Sequence, residues 1–193
     1  YTTAAAGGPS IITWDGGGSG SDWETAGNWS GDVVPGADDD VVIDIAATVL
    51  LNGSTTINSL QLGSSTASVA SVLNFDYNAV GGDPLIIDDG DVTIYSSASM
   101  THTAGTASVV GTIDIDVQTG DFTINSGGSI NLDEAGYEGP STSGPYTGNG
   151  PGGGQGTGNP AGGGGAYGGD GGDGSDGQLG GSAYGSTTNP VQL

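Results

Sequence analysis

The sequence predicts an all-β fold, a parallel β-solenoid, and three observations carry that prediction. Short β-branched and aliphatic runs alternate with glycine- and asparagine-rich turns over residues 41–138. No stretch shows the 3.6-residue spacing of an amphipathic helix. Finally, Gly90-Asp91-Val92-Thr93-Ile94-Tyr95 lines up with Gly120-Asp121-Phe122-Thr123-Ile124-Asn125, and a weaker copy, Ser59-Leu60-Gln61-Leu62-Gly63, precedes both. Aligning Leu62, Ile94 and Ile124 gives steps of 32 and 30 residues. Echoes of this length, built from short strands and small turn residues, mark coils that stack on one another. Leu60, Val92 and Phe122 then form one inward ladder, and Leu62, Ile94 and Ile124 the next. An antiparallel sandwich is the competing fold. It wants more regular hairpins and has no use for the echo.

Residues 1–40 form the first element, organised around tryptophan. Trp14, Trp23 and Trp29 are the chain's three tryptophans, and the segment closes on Val34-Pro35-Gly36-Ala37-Asp38-Asp39-Asp40. The expected role is an aromatic cap over the open end of the coils that follow, since buried indoles supply much of the core of a small cap. The competing role is a carbohydrate platform made by the same three indoles.

Residues 41–138 are the solenoid. Val41-Val42-Ile43-Asp44-Ile45, Thr48-Val49-Leu50-Leu51, Thr56-Ile57, Leu60-Gln61-Leu62 and Leu85-Ile86-Ile87 read as strands, with Asn52-Gly53, Gly81-Gly82, Asp89-Gly90 and Thr119-Gly120 as turns. Ile113-Asp114-Ile115-Asp116-Val117 alternates strictly, which buries one face and sends carboxylates into water from the other.

Residues 139–193 contain 22 of the chain's 42 glycines. A flexible linker is the default reading of such composition. Glycine nevertheless recurs at every third position from Gly162 to Gly180, the period of a polyproline II helix. Collagen is a poor explanation, because no proline lies between Gly162 and Gly180 to pre-set the backbone. Glycine-rich helices bundled through lateral hydrogen bonds are the ordered alternative.

Composition restricts the partners. The chain has no lysine or arginine against 22 aspartates and glutamates, a formal charge of −22. Nucleic acid and anionic membranes both need basic patches, so neither is an expected partner. No apolar run reaches the roughly 18 residues of a membrane span. There is no cysteine, which excludes disulfides and thiolate metal sites. At 33% hydrophobic residues the core must be thin. The chain starts at Tyr1 and shows no signal peptide, as expected of a processed form or of a piece of something longer.

Candidate chemistry is sparse. His102 is the single histidine and no Gly-x-Ser-x-Gly elbow is present, so no catalytic residue is assigned and His102 reads as an ordinary surface or turn residue. Asp88, Asp89 and Asp91 form one carboxylate cluster. Asp114 and Asp116 form another, about 7 Å apart on one strand face, within the range that inverting glycosidases use. Ca²⁺ is the natural cation for acidic oxygens, and two clusters could hold it. One is Asp38, Asp39 and Asp40 at the junction of cap and solenoid; the other is Asp170, Asp173 and Asp176 in the glycine-rich segment. Asn28-Trp29-Ser30 and Asn52-Gly53-Ser54 are sequons, so Asn28 and Asn52 are candidate glycosylation sites.

The pattern carried by Trp14, Gly16, Gly17, Trp23, Asn28, Trp29, Ser30, Val34, Pro35, Gly36, Asp40, Val41 and Ile43 resembles the start of the β-helical repeat regions of large bacterial secreted adhesins. Autotransporter-like and haemagglutinin-like surface proteins are among them. The segment Gly120 to Gly139 is similar to the same proteins, whose coils often run into a glycine-rich tract. The tract itself resembles the polyglycine-helix bundles of some phage adhesins. These resemblances imply a right-handed β-helix, secretion to the cell surface, and a structural or adhesive role in an adhesin, sheath or filament. The expected partners are further copies of the chain or neighbouring repeats. A Ca²⁺-dependent carbohydrate-binding module and a β-helical glycan hydrolase are the alternatives.

Overall fold

The computed structural model describes residues 8–76, 85–103, 111–133, 147–150, 152–156, 163–166, 170–174 and 177–184. The chain divides into two compact units, one of Tyr1–Thr103 with Gly111–Asp133 and one of Ala104–Val110 with Glu134–Leu193.

The first unit is a parallel β-solenoid of about four turns. Its strands are β1 (Ser10–Thr13), β2 (Asp39–Ile43), β3 (Thr48–Leu51), β4 (Thr55–Ile57), β5 (Ser59–Leu62), β6 (Val72–Phe75), β7 (Leu85–Ile87), β8 (Val92–Ile94), β9 (Ser99–His102), β10 (Ile115–Val117), β11 (Phe122–Ile124) and β12 (Ser129–Ile130). They lie in three sheets ordered β1-β2-β5-β8-β11, β3-β6-β9-β12 and β4-β7-β10. All nine strand pairings among the described residues are parallel. Parallel pairing between strands a whole coil apart is what a solenoid produces, and it rules out the antiparallel sandwich.

The register sets the ladders. In the first sheet Val41, Leu60, Val92 and Phe122 are in line, as are Ile43, Leu62, Ile94 and Ile124. In the second sheet Val49, Leu73, Met100 and Ile130 align. In the third, Ile57, Ile87 and Val117 do so. Alternation along each strand turns these residues inward, and most of them are fully buried. Each completely buried Val, Leu or Ile contributes about 1.5–3 kcal/mol of transfer free energy. A core one side chain deep from each of three walls is therefore enough to hold the coils.

The first coil is the shortest. From Val41 to Leu60 the chain advances 19 residues, with Asn58 alone turning β4 into β5. Later coils carry longer corners, which restores the steps of 32 and 30 seen in the sequence. Two of those corners superpose. Ala98 N–H donates to Tyr95 O (3.1 Å) and Gly128 N–H to Asn125 O (2.8 Å), while Ser97 N–H donates to Gly127 O (2.8 Å) in the coil above. The third residue of each turn has positive φ, +68° at Ser97 and +86° at Gly127, the type II signature.

The cap closes the first end. β1 joins the first sheet, and the Trp14 N–H donates to Val42 O (2.8 Å) beyond it. On its outer edge β1 is held by Ser30, whose N–H donates to Thr13 O (2.8 Å) and whose Oγ accepts from Thr13 N–H (3.0 Å). Over the second sheet, Leu50 N–H donates to Ser21 O (2.8 Å) and Trp23 N–H to Leu50 O (2.9 Å). A short 3-10 turn, Ala26–Asn28, links these contacts. At the other end the sheets stop on β11, β12 and β10. There Phe122 (38%), Ile124 (45%), Ile130 (42%) and Leu132 (49%) are exposed.

The second unit is held by main-chain hydrogen bonds between glycine-rich segments. Gln155 N–H donates to Leu179 O (3.0 Å), Gly163 N–H to Gln155 O (2.7 Å) and Gly164 N–H to Gly172 O (2.8 Å). Gly171 N–H donates to Gly181 O (2.9 Å), and Gly181 N–H to Gly164 O (2.9 Å). The segments touch so closely that a Cβ on Gly180 would overlap the Gly171 carbonyl, and one on Gly181 the Gly152 carbonyl. Glycine here is a packing requirement.

Candidate functional site

The tryptophans are the first candidates, and the structure gives them to packing. Trp14 is 2% exposed, and Trp23 and Trp29 are fully buried. Trp29 stands edge-on to both others, with ring centroids 4.9 Å from Trp14 and 4.7 Å from Trp23. Such edge-to-face contacts add about 0.5–1.5 kcal/mol each beyond area burial. Trp29 Nε1 donates to Trp23 O (2.7 Å). None of the three rings offers a face to solvent, so a sugar has nothing to stack on. The three indoles pack against one another as part of the buried core.

Two of the carboxylates near the cap accept hydrogen bonds from the chain itself. Asp39 and Asp40 lie on β2, where alternation sends neighbouring side chains to opposite faces. Asp39 Oδ2 accepts from Gly36 N–H (2.8 Å). Asp40 Oδ1 accepts from Asn58 Nδ2 (2.7 Å) and Ser59 Oγ (2.5 Å), fastening the corner of the next coil. Asp38 is exposed in the preceding turn. In the second unit Asp170 Oδ1 accepts from Ala183 N–H (2.8 Å) and Asp173 Oδ1 from Gly180 N–H (2.9 Å). Asp176 lies outside the described residues. Among the described residues no group of three or more His, Asp or Glu side chains converges as a metal site would require.

The remaining acids follow the same logic. Asp89 Oδ1 accepts from Thr119 Oγ1 (2.9 Å), and Asp91 Oδ1 from Asp121 N–H (2.9 Å), each bond joining neighbouring coils. Asp114 and Asp116 are exposed on either side of half-buried Ile115, as the alternation predicts, and Asp116 Oδ2 accepts from Gln118 Nε2 (2.8 Å). His102 is half-buried on β9, its Nδ1 2.9 Å from Thr103 O. Of the two sequons, Asn28 is fully buried. Its Oδ1 accepts from Gly18 N–H (3.1 Å) and its Nδ2 donates to Asp22 O (3.2 Å). A glycan cannot be carried there in the folded cap. Asn52 is exposed between β3 and β4 and remains accessible.

What the sequence did not reveal is the open end. Phe122 and Ile124 are read as ladder residues, and so they are, and Ile130 ends a third column, but nothing among the described residues stacks on them. The available signal was negative. Past Leu132 the sequence never again supplies alternating aliphatics for a further coil. Among the described residues this end leaves the outer strand edges of three sheets unpaired, together with four exposed apolar side chains, a combination suited to recognising another β-edge.

No protein-family model matches the chain, and neither a curated protein nor a solved structure is similar to it. The likeness to β-helical adhesins accordingly extends as far as the solenoid fold.

Proposed function

We propose that the chain is an extracellular structural module of a cell-surface adhesin, sheath or filament, and that it works by stiffness and self-association. The observation that carries this reading is the solenoid itself, sealed by a cap at one end and open at the other. Its described interior is lined mainly by apolar side chains, several of its acidic side chains brace turns and neighbouring coils, and its exposed β-edge is of the kind other chains add to. The absence of lysine and arginine supports an exposed setting, because trypsin-like proteases find no cleavage site in the chain.

Sedimentation velocity across a concentration series, paired with electron microscopy, tests the proposal. Concentration-dependent assembly is expected, whereas a single monomeric species throughout would refute the self-associating role. The hydrolase alternative has its own test in a polysaccharide panel read for new reducing ends. The panel is expected to stay at the blank; turnover abolished by Asp114→Asn or Asp116→Asn would replace the structural reading.

A further inference from the structure

The two ends of the solenoid are finished differently, and the difference dictates how copies can meet. At the capped end Ser30 already occupies the N–H and carbonyl of Thr13 on the outer edge of β1. A strand arriving head-to-tail finds the Thr13 groups of that edge already taken. At the open end β11 is the edge of its sheet. Val92 N–H donates to Asp121 O, and Asn125 N–H donates to Ile94 O, so residues 121 and 125 point their backbone groups at β8. By the two-residue alternation of a strand, the outward-facing N–H and C=O groups belong to Phe122 and Ile124. The sequence beyond the last coil is poor in aliphatic side chains. From Glu134 onward its only valine, leucine or isoleucine residues are Leu179, Val191 and Leu193.

We propose that this open coil docks onto the same coil of a second copy, with β11 pairing antiparallel to itself about a two-fold axis at Thr123. The proposal rests on the self-associating role above and specifies its geometry. In this register Phe122 faces Ile124 of the second copy, so the outward backbone groups of each strand meet those of the other as a hydrogen-bonded pair. Thr123 faces itself in the closer, non-hydrogen-bonded position. Asp121 faces Asn125, so no carboxylate opposes a carboxylate. Aromatic–β-branched and Thr–Thr pairs are favourable across strands, and like charges directly opposite are not. Centring the pair on Asp121 instead would set two carboxylates face to face. An isologous contact of this kind closes on itself, so it gives a dimer with both caps outermost, and longer assemblies need another surface.

A cysteine placed at the axis tests the geometry in the intact chain, which has no cysteine of its own. Thr123 is exposed, and facing Cα atoms at a non-hydrogen-bonded position lie about 4.5 Å apart, within disulfide range. Thr123→Cys is expected to give a disulfide-linked dimer under mild oxidation. Thr93→Cys, one coil inward in the same column, is expected to form no disulfide-linked dimer. Wild-type dimerisation should strengthen as salt is raised, since screening relieves repulsion between two acidic copies. Ile124→Asp should raise the dissociation constant by about tenfold or more. If the wild type associates while Thr123→Cys cross-links no better than Thr93→Cys, this interface is wrong and the self-associating role survives. If the wild type sediments only as monomer, both fall. The cysteine pair also guards against a trivial result from Ile124→Asp, which could unravel the last coil by itself.

Discussion

Ser97 sits at φ +68° where the equivalent turn residue one coil later, Gly127, sits at +86°. A side chain in this left-handed region costs about 1–2 kcal/mol relative to glycine. Ser97 keeps its place because its N–H reaches Gly127 O and so ties the two corners together, a bond that glycine would retain. Ser97→Gly is therefore expected to stabilise the solenoid by about 1 kcal/mol, read from the urea midpoint, with unchanged midpoints counting against strain at this corner. The cap offers a paired test. Trp23 and Trp29 are equally buried, but Trp29 Nε1 donates to Trp23 O while Trp23 Nε1 has no partner among the described residues. Trimming either to phenylalanine removes similar volume. Trp29→Phe also loses a buried hydrogen bond, whereas Trp23→Phe relieves an unpaired donor, so Trp29→Phe should cost about 1–2 kcal/mol more. Equal losses would show that the Trp29 bond contributes nothing net.

At the scale of elements, position within a ladder decides energy. Leu62 and Ile124 belong to one column of the first sheet, but Leu62 is fully buried and Ile124 is 45% exposed. Leu62→Ala should cost about 2–5 kcal/mol through lost transfer energy and the cavity left behind. In dilute monomer, Ile124→Ala should cost less than about 1 kcal/mol. The glycine-rich unit yields a sharper contrast. A Cβ on Gly180 would overlap the Gly171 carbonyl, whereas Gly172 has open space around it. Gly180→Ala should collapse amide protection at Gly163, Gly164, Gly171 and Gly181 in hydrogen exchange. Gly172→Ala should leave protection intact or raise it, since it only restricts the unfolded chain. Equal behaviour of the two variants would mean that close backbone contact does not organise this unit.

These elements also show what a sequence can disclose. The columns through Leu60 and Leu62 were legible because two coils of nearly equal length place like residues at a fixed step. The first coil escaped that alignment: with Asn58 as a whole corner it is only 19 residues long and has no matching turn to align. The tryptophans were legible as a cap, since clustered indoles beside a solenoid start have few other uses. The Ser30 clamp was not, because it depends on the chain doubling back antiparallel beside Trp14. The hydrogen bonds of the acidic residues were not legible in the sequence. Sequence proximity suggested convergence on a cation, but strand alternation separated Asp39 from Asp40, and each carboxylate found a donor nearby. Exposure of Phe122 and Ile124 lay beyond reach, since burial in a solenoid is decided by the coil above and not by the residue itself.

For the molecule as a whole, the governing quantity is a charge of −22 with no lysine or arginine to offset it. Folding concentrates those carboxylates, and their mutual repulsion opposes the compact state. Salt should therefore stabilise this protein, in contrast to one held by surface ion pairs, which salt weakens. Raising NaCl from about 0.01 M to about 0.15 M shortens the screening length from roughly 30 Å to 8 Å, and the urea midpoint should climb over that interval. Divalent cations then separate two kinds of electrostatics. If the carboxylates act as a diffuse field, CaCl2 and MgCl2 at matched ionic strength should shift the midpoint equally. If acidic oxygens anywhere in the chain, Asp176 included, assemble a cage of six to eight ligands, Ca²⁺ should outperform Mg²⁺, and the excess should saturate and vanish on adding EDTA. The bonds made by Asp39, Asp40, Asp170 and Asp173 to donors of the chain itself favour the diffuse field. Coincident Ca²⁺ and Mg²⁺ curves are the expected outcome, and a saturable Ca²⁺-specific gain is the one that would overturn it.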